Sequence, residues 1–326
     1  MISVRPNARR FLIGLLQVVV SLLLIVWAAA SVDSGELIAV MKGVPILVIL
    51  VSVAGILGVA LLQAIRWRHI VDYLGGALPG DRSALIVLLS LLYNQVLPST
   101  VGGDAVRIWM ARDAAPSIAI VVKSVLVDRI VGLAALALVA AVAWPFLFRD
   151  VGWDPAVVGA GLISFGGLAA TVGLLLLSLL PIGSIALTPL RLAWGLAHSL
   201  RTSLLPVRRS LLVGGLGVLG HGGVLMVAWL LGWGIELGAH WSAYAVVVPP
   251  VLIVSVLPIS VAGWGVREGA MVAGFGLLGV ASEKALALSI LFGAVGTVAG
   301  LAGGAIWLLA RLRATAIGSR NGGAEV

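Results

Sequence analysis

The sequence predicts an all-α, polytopic membrane protein, with six full transmembrane helices plus two re-entrant, broken-helix hairpins in an inverted repeat. Three observations lead to this fold class. The 326-residue chain is 61% hydrophobic and only 10% charged, which the surface of a soluble domain of this length would not tolerate. Apolar runs of about 20 residues, the length that spans a bilayer, recur along the chain. One unusual stretch also occurs twice.

The repeated stretch combines a proline, glycines and an arginine within a hydrophobic run. It reads LPSTVGGDAVR at residues 97–107 and LPISVAGWGVR at residues 257–267, a spacing of 160. Leucine, valine and glycine are abundant in this chain and match by accident, but proline and arginine are scarce. Arginine is expensive at membrane depth, so one that occurs twice at the same place indicates a role.

Six apolar runs are long enough to cross a bilayer. They cover residues 11–32, 43–65, 117–148, 157–180, 208–236 and 285–309. The first run exceeds the ~7 to 15 apolar residues of a signal peptide, so we expect it to be retained as a helix. Residues 185–206 have the pattern of an amphipathic helix on the membrane surface. Residues 1–313 are expected to form one transmembrane domain, and residues 314–326 a disordered tail.

The first predicted hairpin covers residues 82–112, where the apolar run before the break is too short to cross. The residue before Pro98 is disfavoured in a helix, and Gly102 and Gly103 let the backbone turn again. Non-helical backbone at membrane depth is tolerated only where protein buries it or water reaches it. The sequence therefore predicts a break inside the protein.

The second predicted hairpin covers residues 242–280 and is broken at Pro258 and Gly263. Each hairpin then belongs to one half of an internal repeat, with halves at about 43–148 and 209–310. Inverted repeats that meet at broken helices are the architecture of alternating-access carriers.

The distribution of basic residues supports this topology. With both termini on the cytoplasmic side, 16 of the 21 basic residues are cytoplasmic, including Arg66 at an expected membrane interface, and only Lys42, Arg149 and Lys284 are external. If each hairpin crossed completely, the four arginines in residues 191–209 would be exported. Because cytoplasmic loops carry the excess of Lys and Arg, the hairpins are expected to enter from opposite sides.

The second helix of each hairpin begins at the break, so its positive end points toward the membrane centre and favours an anion. Arg107 and Arg267 follow the two breaks, and their planar guanidinium groups suit a phosphate. Asp104 and Glu268 are expected to hold these arginines in the empty state. The predicted substrate-binding or translocation residues are Asn94, Pro98, Gly102, Gly103, Asp104, Arg107, Asp128, Arg129, Pro258, Gly263, Arg267 and Glu268.

Asp128 and Arg129 are neighbours within a predicted span and point about 100° apart on a helix, so they cannot satisfy each other. Arg129 therefore needs another partner, and Asp104 or Glu268 is the expected one. The alternative for all these charges is a structural ion-pair network that locks the hairpins together. Asn94 is expected to satisfy backbone groups at the break.

Other residues are expected to serve the packing of helices and not the binding of substrate. His221 is expected to hydrogen-bond between helices, and Gly296, Gly300 and Gly304 form a face for close helix packing. Since the chain has no Cys and only four scattered His, no metal site and no cofactor are predicted. The excess of 21 basic over 13 acidic residues is explained by anionic lipid, so no nucleic-acid partner is predicted.

Three segments resemble the signatures of the lysylphosphatidylglycerol synthase transmembrane family, also called the flippase-like family, the membrane half of multiple peptide resistance factor. They are residues 97–107, 128–133 and 257–269, and the resemblance covers nearly the whole chain. Ala262 stands where many members have a second Gly. The resemblance implies a bacterial inner-membrane protein that moves modified or isoprenoid-linked lipids, with some members associated with hopanoid production. We expect a stand-alone member without the aminoacyl-transferase domain.

The leading hypothesis is a lipid transporter that moves an anionic or zwitterionic headgroup between leaflets. The resemblance implies a phospholipid, an isoprenoid phosphate or a hopanoid-related lipid as substrate. A second hypothesis is a membrane-embedded transferase acting on a polyprenyl phosphate or glycolipid, with Asp104, Asp128 and Glu268 as base or metal ligands. A third is a non-catalytic partner of a separate lipid-modifying enzyme.

Overall fold

The computed structural model is all-α and describes residues 8–30, 32–96, 102–181, 188–256 and 260–321. Within these ranges the chain forms twelve α-helices. They are α1 (Ala8–Ala30), α2 (Ser34–Lys42), α3 (Ile46–Tyr73), α4 (Gly80–Val96), α5 (Gly102–Met110), α6 (Ile118–Val151), α7 (Pro155–Leu177), α8 (Thr188–Leu204), α9 (Val207–Gly234), α10 (Trp241–Ser255), α11 (Val266–Gly276) and α12 (Ser282–Asn321). A short 3-10 turn at Val261–Gly263 precedes α11.

Five of these helices, α3, α6, α7, α9 and α12, are long and apolar enough to cross a membrane. They coincide with five of the six predicted spans. The remaining predicted span overlaps α1, whose described apolar part is Gly14–Leu24, shorter than a full crossing. The chain is therefore a multi-pass membrane protein.

The structure corrects the predicted end of the second span. Helix α3 continues past residue 65 as far as Tyr73, and Arg66 and Trp67 are buried within the protein. Trp67 donates from its indole nitrogen to the Ser124 hydroxyl at 3.1 Å, which joins α3 to α6. Arg66 and Trp67, which the sequence predicts at a membrane interface together with Arg68 and His69, thus have their side chains inside the protein.

Two further segments are more helical than predicted. Helix α2 was not predicted, although Asp33 caps it by accepting hydrogen bonds from the backbone N–H groups of Gly35 and Glu36. Helix α12 continues to Asn321, past residue 314, where the predicted tail begins.

Helices α3 to α6 and helices α9 to α12 form two units with the same order and spacing. Helices α9 and α10 begin 161 residues after α3 and α4, and α11 and α12 begin 164 residues after α5 and α6. The packing between the units is reciprocal, because α4 packs on α12, α10 packs on α6, and α3 and α9 pack on each other. A contact pattern that is unchanged when the units are exchanged indicates a two-fold relation between them.

The contact between α4 and α12 is close because glycines line it, as predicted for Gly296, Gly300 and Gly304. A methyl group added at Gly300 would lie 3.1 Å from a backbone oxygen of α4, and one at Gly303 would lie 2.6 Å from the backbone oxygen of Leu88. Helix α4 thus packs directly on the last helix of the other unit.

Candidate functional site: a charged cavity between the two units

A cavity of about 420 Å³ lies between the two four-helix units and is lined by residues from all eight of their helices. We call it the central cavity. Its polar and charged lining consists of Gln63, Arg66, Ser90, Asn94, Gln95, Asp104, Arg107, Asp128, Arg129, His221, Ser255 and Arg267, and much of the remainder is aliphatic. Four arginines against two aspartates give the lining an excess of positive charge, which favours an anion.

Arg107 projects from α5 and is only 2% exposed. Its Nη2 donates to Asp128 Oδ2 at 2.8 Å, Asp104 lies 3.6 Å away, and its guanidinium stacks on Trp67 at 4.3 Å. Its Nε is buried and has no hydrogen-bond acceptor among the residues that the structure describes. We call Arg107 with Asp104, Asp128 and Trp67 the first arginine site.

Asp128 joins three helices at the first arginine site. It is fully buried and accepts from Arg66 Nε at 2.7 Å as well as from Arg107. Gln63 adds a longer hydrogen bond at 3.4 Å. One carboxylate is therefore shared by two arginines, one on α3 and one on α5, and ties both helices to α6.

Arg129 pairs with Asp104, one of the two partners that the sequence predicted. Asp128 and Arg129 thus turn to different partners, as expected for neighbours on a helix. Asp104 lies between Arg107 and Arg129, so the pairing predicted for it with Arg107 is also present.

The second arginine site consists of Arg267, Trp264, Glu268 and Ser289. Arg267 Nη2 donates to Glu268 Oε1 at 2.6 Å, and its Nε lies 3.2 Å from the Ser289 hydroxyl oxygen. Its guanidinium stacks on Trp264 at 4.6 Å. The pairing predicted for Arg267 and Glu268 is therefore present, and both repeated arginines reach the same cavity.

The break between α4 and α5 is bridged by Asn94, whose Oδ1 accepts from the Gly103 backbone N–H at 2.9 Å. This is the backbone role predicted for Asn94. A methyl group at Gly103 would lie 2.7 Å from the Ser90 backbone oxygen, so a glycine is required there. Gly102 begins α5, and Pro98 lies outside the described residues.

The break between α10 and α11 turns through three residues with positive φ: Ala262 at 51°, Gly263 at 81° and Gly265 at 88°. Glycine adopts this region readily, whereas an alanine there is strained. Gly263 also lies against the Ser255 backbone oxygen, 3.2 Å from an added methyl group. Pro258 lies outside the described residues.

Sequence reasoning did not assign Arg66 and Gln63 to this site. A methyl group at Gly132 or Gly217 would lie 3.2 Å from an Arg66 nitrogen, so Arg66 passes between two glycines to reach Asp128. One sequence signal could have assigned both residues to the site: Gln63 and Arg66 stand three residues apart, on one helix face, in an otherwise apolar run. His221 Nε2 lies 2.9 Å from the Gly132 carbonyl oxygen, so its predicted contact between helices is confirmed.

Other polar groups lie away from the central cavity. Arg82 pairs with Asp113 at 2.5 Å near the ends of the first hairpin, and its hydrogen bond lowers the pKa of the Asp113 carboxyl. A separate cavity of about 470 Å³, lined in part by Asp150, His240 and Lys284, shares no residue with the central cavity. Within the described ranges, no group of three His, Asp or Glu residues is placed to hold a metal ion.

The fold and the cavity define a class of protein: a multi-pass helical membrane protein with buried arginines between two repeated units. The family model of the lysylphosphatidylglycerol synthase TM region matches residues 14–304, and the chain belongs to that family. The matched residues include every residue that lines the central cavity. A comparison with curated proteins finds no match to the chain.

Proposed function

We propose that this protein moves a lipid with an anionic or zwitterionic headgroup from one leaflet to the other through the central cavity. One observation carries the proposal. Arg107 and Arg267 occupy matching positions of the repeated stretch, 160 residues apart, and both line the same cavity. Two successive arginine sites in one cavity give a phosphate-bearing headgroup a binding position in each unit.

In this proposal α1, α3, α6, α7, α9 and α12 cross a bacterial cytoplasmic membrane, and both termini are cytoplasmic. The hairpins α4–α5 and α10–α11 enter from opposite sides. Two features support it: the reciprocal packing of the two units and the excess of basic residues in the loops assigned to the cytoplasm. An inverted relation would associate one arginine site with each leaflet.

The charge of the cavity suits a headgroup with a single phosphate. Four arginines line it, and Asp104, Asp128 and Glu268 oppose them, so one positive charge is left over. Arg107 also has a buried Nε without an acceptor in the described structure, and a buried donor gains stability from an added acceptor. The aliphatic lining beside the charges, including Leu133 and Leu216, suits the glycerol and acyl portions.

The test is transfer of a fluorescent phosphatidylglycerol between the leaflets of liposomes that contain the purified protein. Arg107→Gln and Arg267→Gln are each expected to lower the rate by roughly 10- to 100-fold, since each removes a charge-assisted contact of about 1.5–3 kcal/mol. Arg112→Gln is the matched control, because Arg112 lies exposed just after α5 and is expected to keep the wild-type rate.

Two results would contradict the proposal: no transfer by the wild-type protein, or wild-type rates from both folded variants. Mass spectrometry of the same liposomes separates the alternatives. Chemically altered lipid without transfer would favour the transferase. Activity that needs an added lipid-modifying enzyme would favour the non-catalytic partner.

A further inference from the structure

The carboxylate of Glu268 accepts hydrogen bonds from several donors of the second arginine site. Its Oε1 accepts from Arg267 Nη2 at 2.6 Å and from the Ser289 hydroxyl at 3.0 Å. Its Oε2 accepts from the backbone N–H of Gly265 at 2.5 Å, at the N-terminus of α11. Glu268 is only 2% exposed, so these bonds lie beneath the cavity surface.

These donors are the set that a phosphate oxygen would use. A guanidinium, a hydroxyl and a helix N-terminal N–H group favour an anion by charge and by geometry. The chain's own carboxylate now holds all three, while Arg267 still reaches the cavity. An incoming headgroup at this site must therefore compete with Glu268 for Arg267.

The first arginine site has no such carboxylate next to its arginine. The residue after Arg107 is Ile108, at the position that Glu268 occupies after Arg267. The acidic partners of Arg107 are three residues earlier on α5 and across on α6, and its Nε is left without an acceptor among the described residues. The two sites therefore differ in the donors that are available to a ligand. At the first site Arg107 Nε has no acceptor in the described part of the chain, whereas at the second site Glu268 accepts from the donors.

From this difference we infer that Glu268 is a tethered anion, which occupies the second arginine site until a lipid headgroup displaces it. This inference rests on the proposed function and adds a sequence of events to it. The headgroup binds first at Arg107 and reaches Arg267 only when Glu268 gives up its bonds. If Glu268 holds Arg267 for nine-tenths of the time, the apparent affinity of the second site falls by about tenfold.

The experiment measures binding of dihexanoyl phosphatidylglycerol to the full-length protein in detergent, by titration calorimetry. E268Q keeps the shape of the side chain and a carbonyl oxygen for the Gly265 N–H, but it removes the competing charge. We expect the Arg267-dependent step of binding to be roughly tenfold tighter in E268Q than in the wild type. We expect the double variant R267Q/E268Q to bind no more tightly than R267Q, because the gain needs a released Arg267.

A purely structural Glu268 gives a different result, in which E268Q lowers the melting temperature without tightening the binding. That result would overturn the inference, as would a gain in affinity that persists in R267Q/E268Q. E268D is a milder second variant, which shortens the tether by one methylene group and keeps every charge and the Ser289 donor. We expect it to tighten binding by roughly fivefold, so it decides the matter if E268Q does not fold.

The failure of this inference can be told apart from the failure of the proposed function. Lipid transfer by the wild-type protein is measured in parallel. Transfer by the wild type, without an Arg267-dependent gain in E268Q, rejects only the tethered anion. No transfer by the wild type rejects the transporter, while the binding data still decide whether Glu268 competes for Arg267.

Discussion

The two hairpins place an arginine at the same position and pair it in different ways. Arg107 is held by other helices, with Asp128 of α6 at 2.8 Å and Trp67 of α3 at 4.3 Å. Arg267 has its acidic partner and its stacking partner, Glu268 and Trp264, as close neighbours in sequence. The first hairpin is therefore tied to its surroundings by ion pairs, whereas the second carries its own counter-charge.

The repeat keeps the arginine but not the residues around it. Three positions before the arginine, the first copy has Asp104 and the second has Trp264; directly after it, the first has Ile108 and the second has Glu268. Each arginine still obtains an aromatic surface and at least one carboxylate. If the hairpins move in transport, the first must break its ion pairs with α6 and its stacking contact with α3, whereas the second must break its hydrogen bonds to Ser289 of α12.

The largest effect that this comparison predicts follows the removal of Asp128, the carboxylate shared by two arginines at the first arginine site. Asp128→Asn should lower the free energy of unfolding by about 3–5 kcal/mol, because it leaves Arg66 and Arg107 buried without their shared counter-charge. Glu268→Gln should cost less, since it unpairs a single arginine. Thermal and denaturant unfolding in detergent measure both.

Asp113→Asn is the control for this prediction, since it also removes an acid paired with an arginine, but at an exposed position. Little change is expected from it, because solvent screens exposed pairs. Equal losses for Asp128→Asn and Glu268→Gln would contradict the difference between the two hairpins.

A smaller effect is predicted where each hairpin rests on the opposite unit. Helix α12 presents Gly303 to the backbone of Leu88 in α4. Gly303→Ala should destabilise the protein by about 1–3 kcal/mol, because the new methyl group would meet the Leu88 backbone oxygen. The cost of this steric contact should exceed the gain of about 1 kcal/mol in helix propensity that a change from Gly to Ala brings.

Gly58→Ala in α3 is the control for the glycine contact, because nothing lies within 4 Å of the added methyl group. It should be neutral or stabilising by up to about 1 kcal/mol. The melting temperatures of the two variants in the same detergent give the comparison. If Gly303→Ala proved as stable as Gly58→Ala, α4 and α12 would not pack as closely as the structure shows.

Local patterns predicted the parts of the site that depend on one helix or one break. The repeated stretch located Arg107 and Arg267, and the roughly 100° between successive residues on a helix sent Arg129 to a partner other than its neighbour. The amide of Asn94 was assigned to the break because exposed backbone needs an acceptor at that depth. None of these steps needed the packing of one helix on another.

The contacts that the sequence did not predict join residues far apart in the chain. Arg66 and Asp128 are 62 residues apart, and their pairing depends on how α3 is rotated against α6. Basic and aromatic residues at the end of an apolar run predict a membrane interface for Arg66. Helix α3 continues to Tyr73, so the apolar run and the helix end at different places. Where a helix ends thus depends on what it packs against and not on hydropathy alone.

The smallest predicted effect comes from one residue at the second break, Ala262, whose φ is positive. Ala262 has φ of 51°, whereas the first copy has Gly102 at the matching position. Ala262→Gly should stabilise the protein by about 0.5–1 kcal/mol, since it relieves left-handed strain of about 1–2 kcal/mol, which exceeds the cost of about 0.5–1 kcal/mol from the added unfolded-state entropy. Gly263→Ala should have the opposite sign, because its φ is 81° and Ser255 crowds it. Unfolding in detergent measures both, and a destabilising Ala262→Gly would mean that the folded chain does not turn left-handed at residue 262.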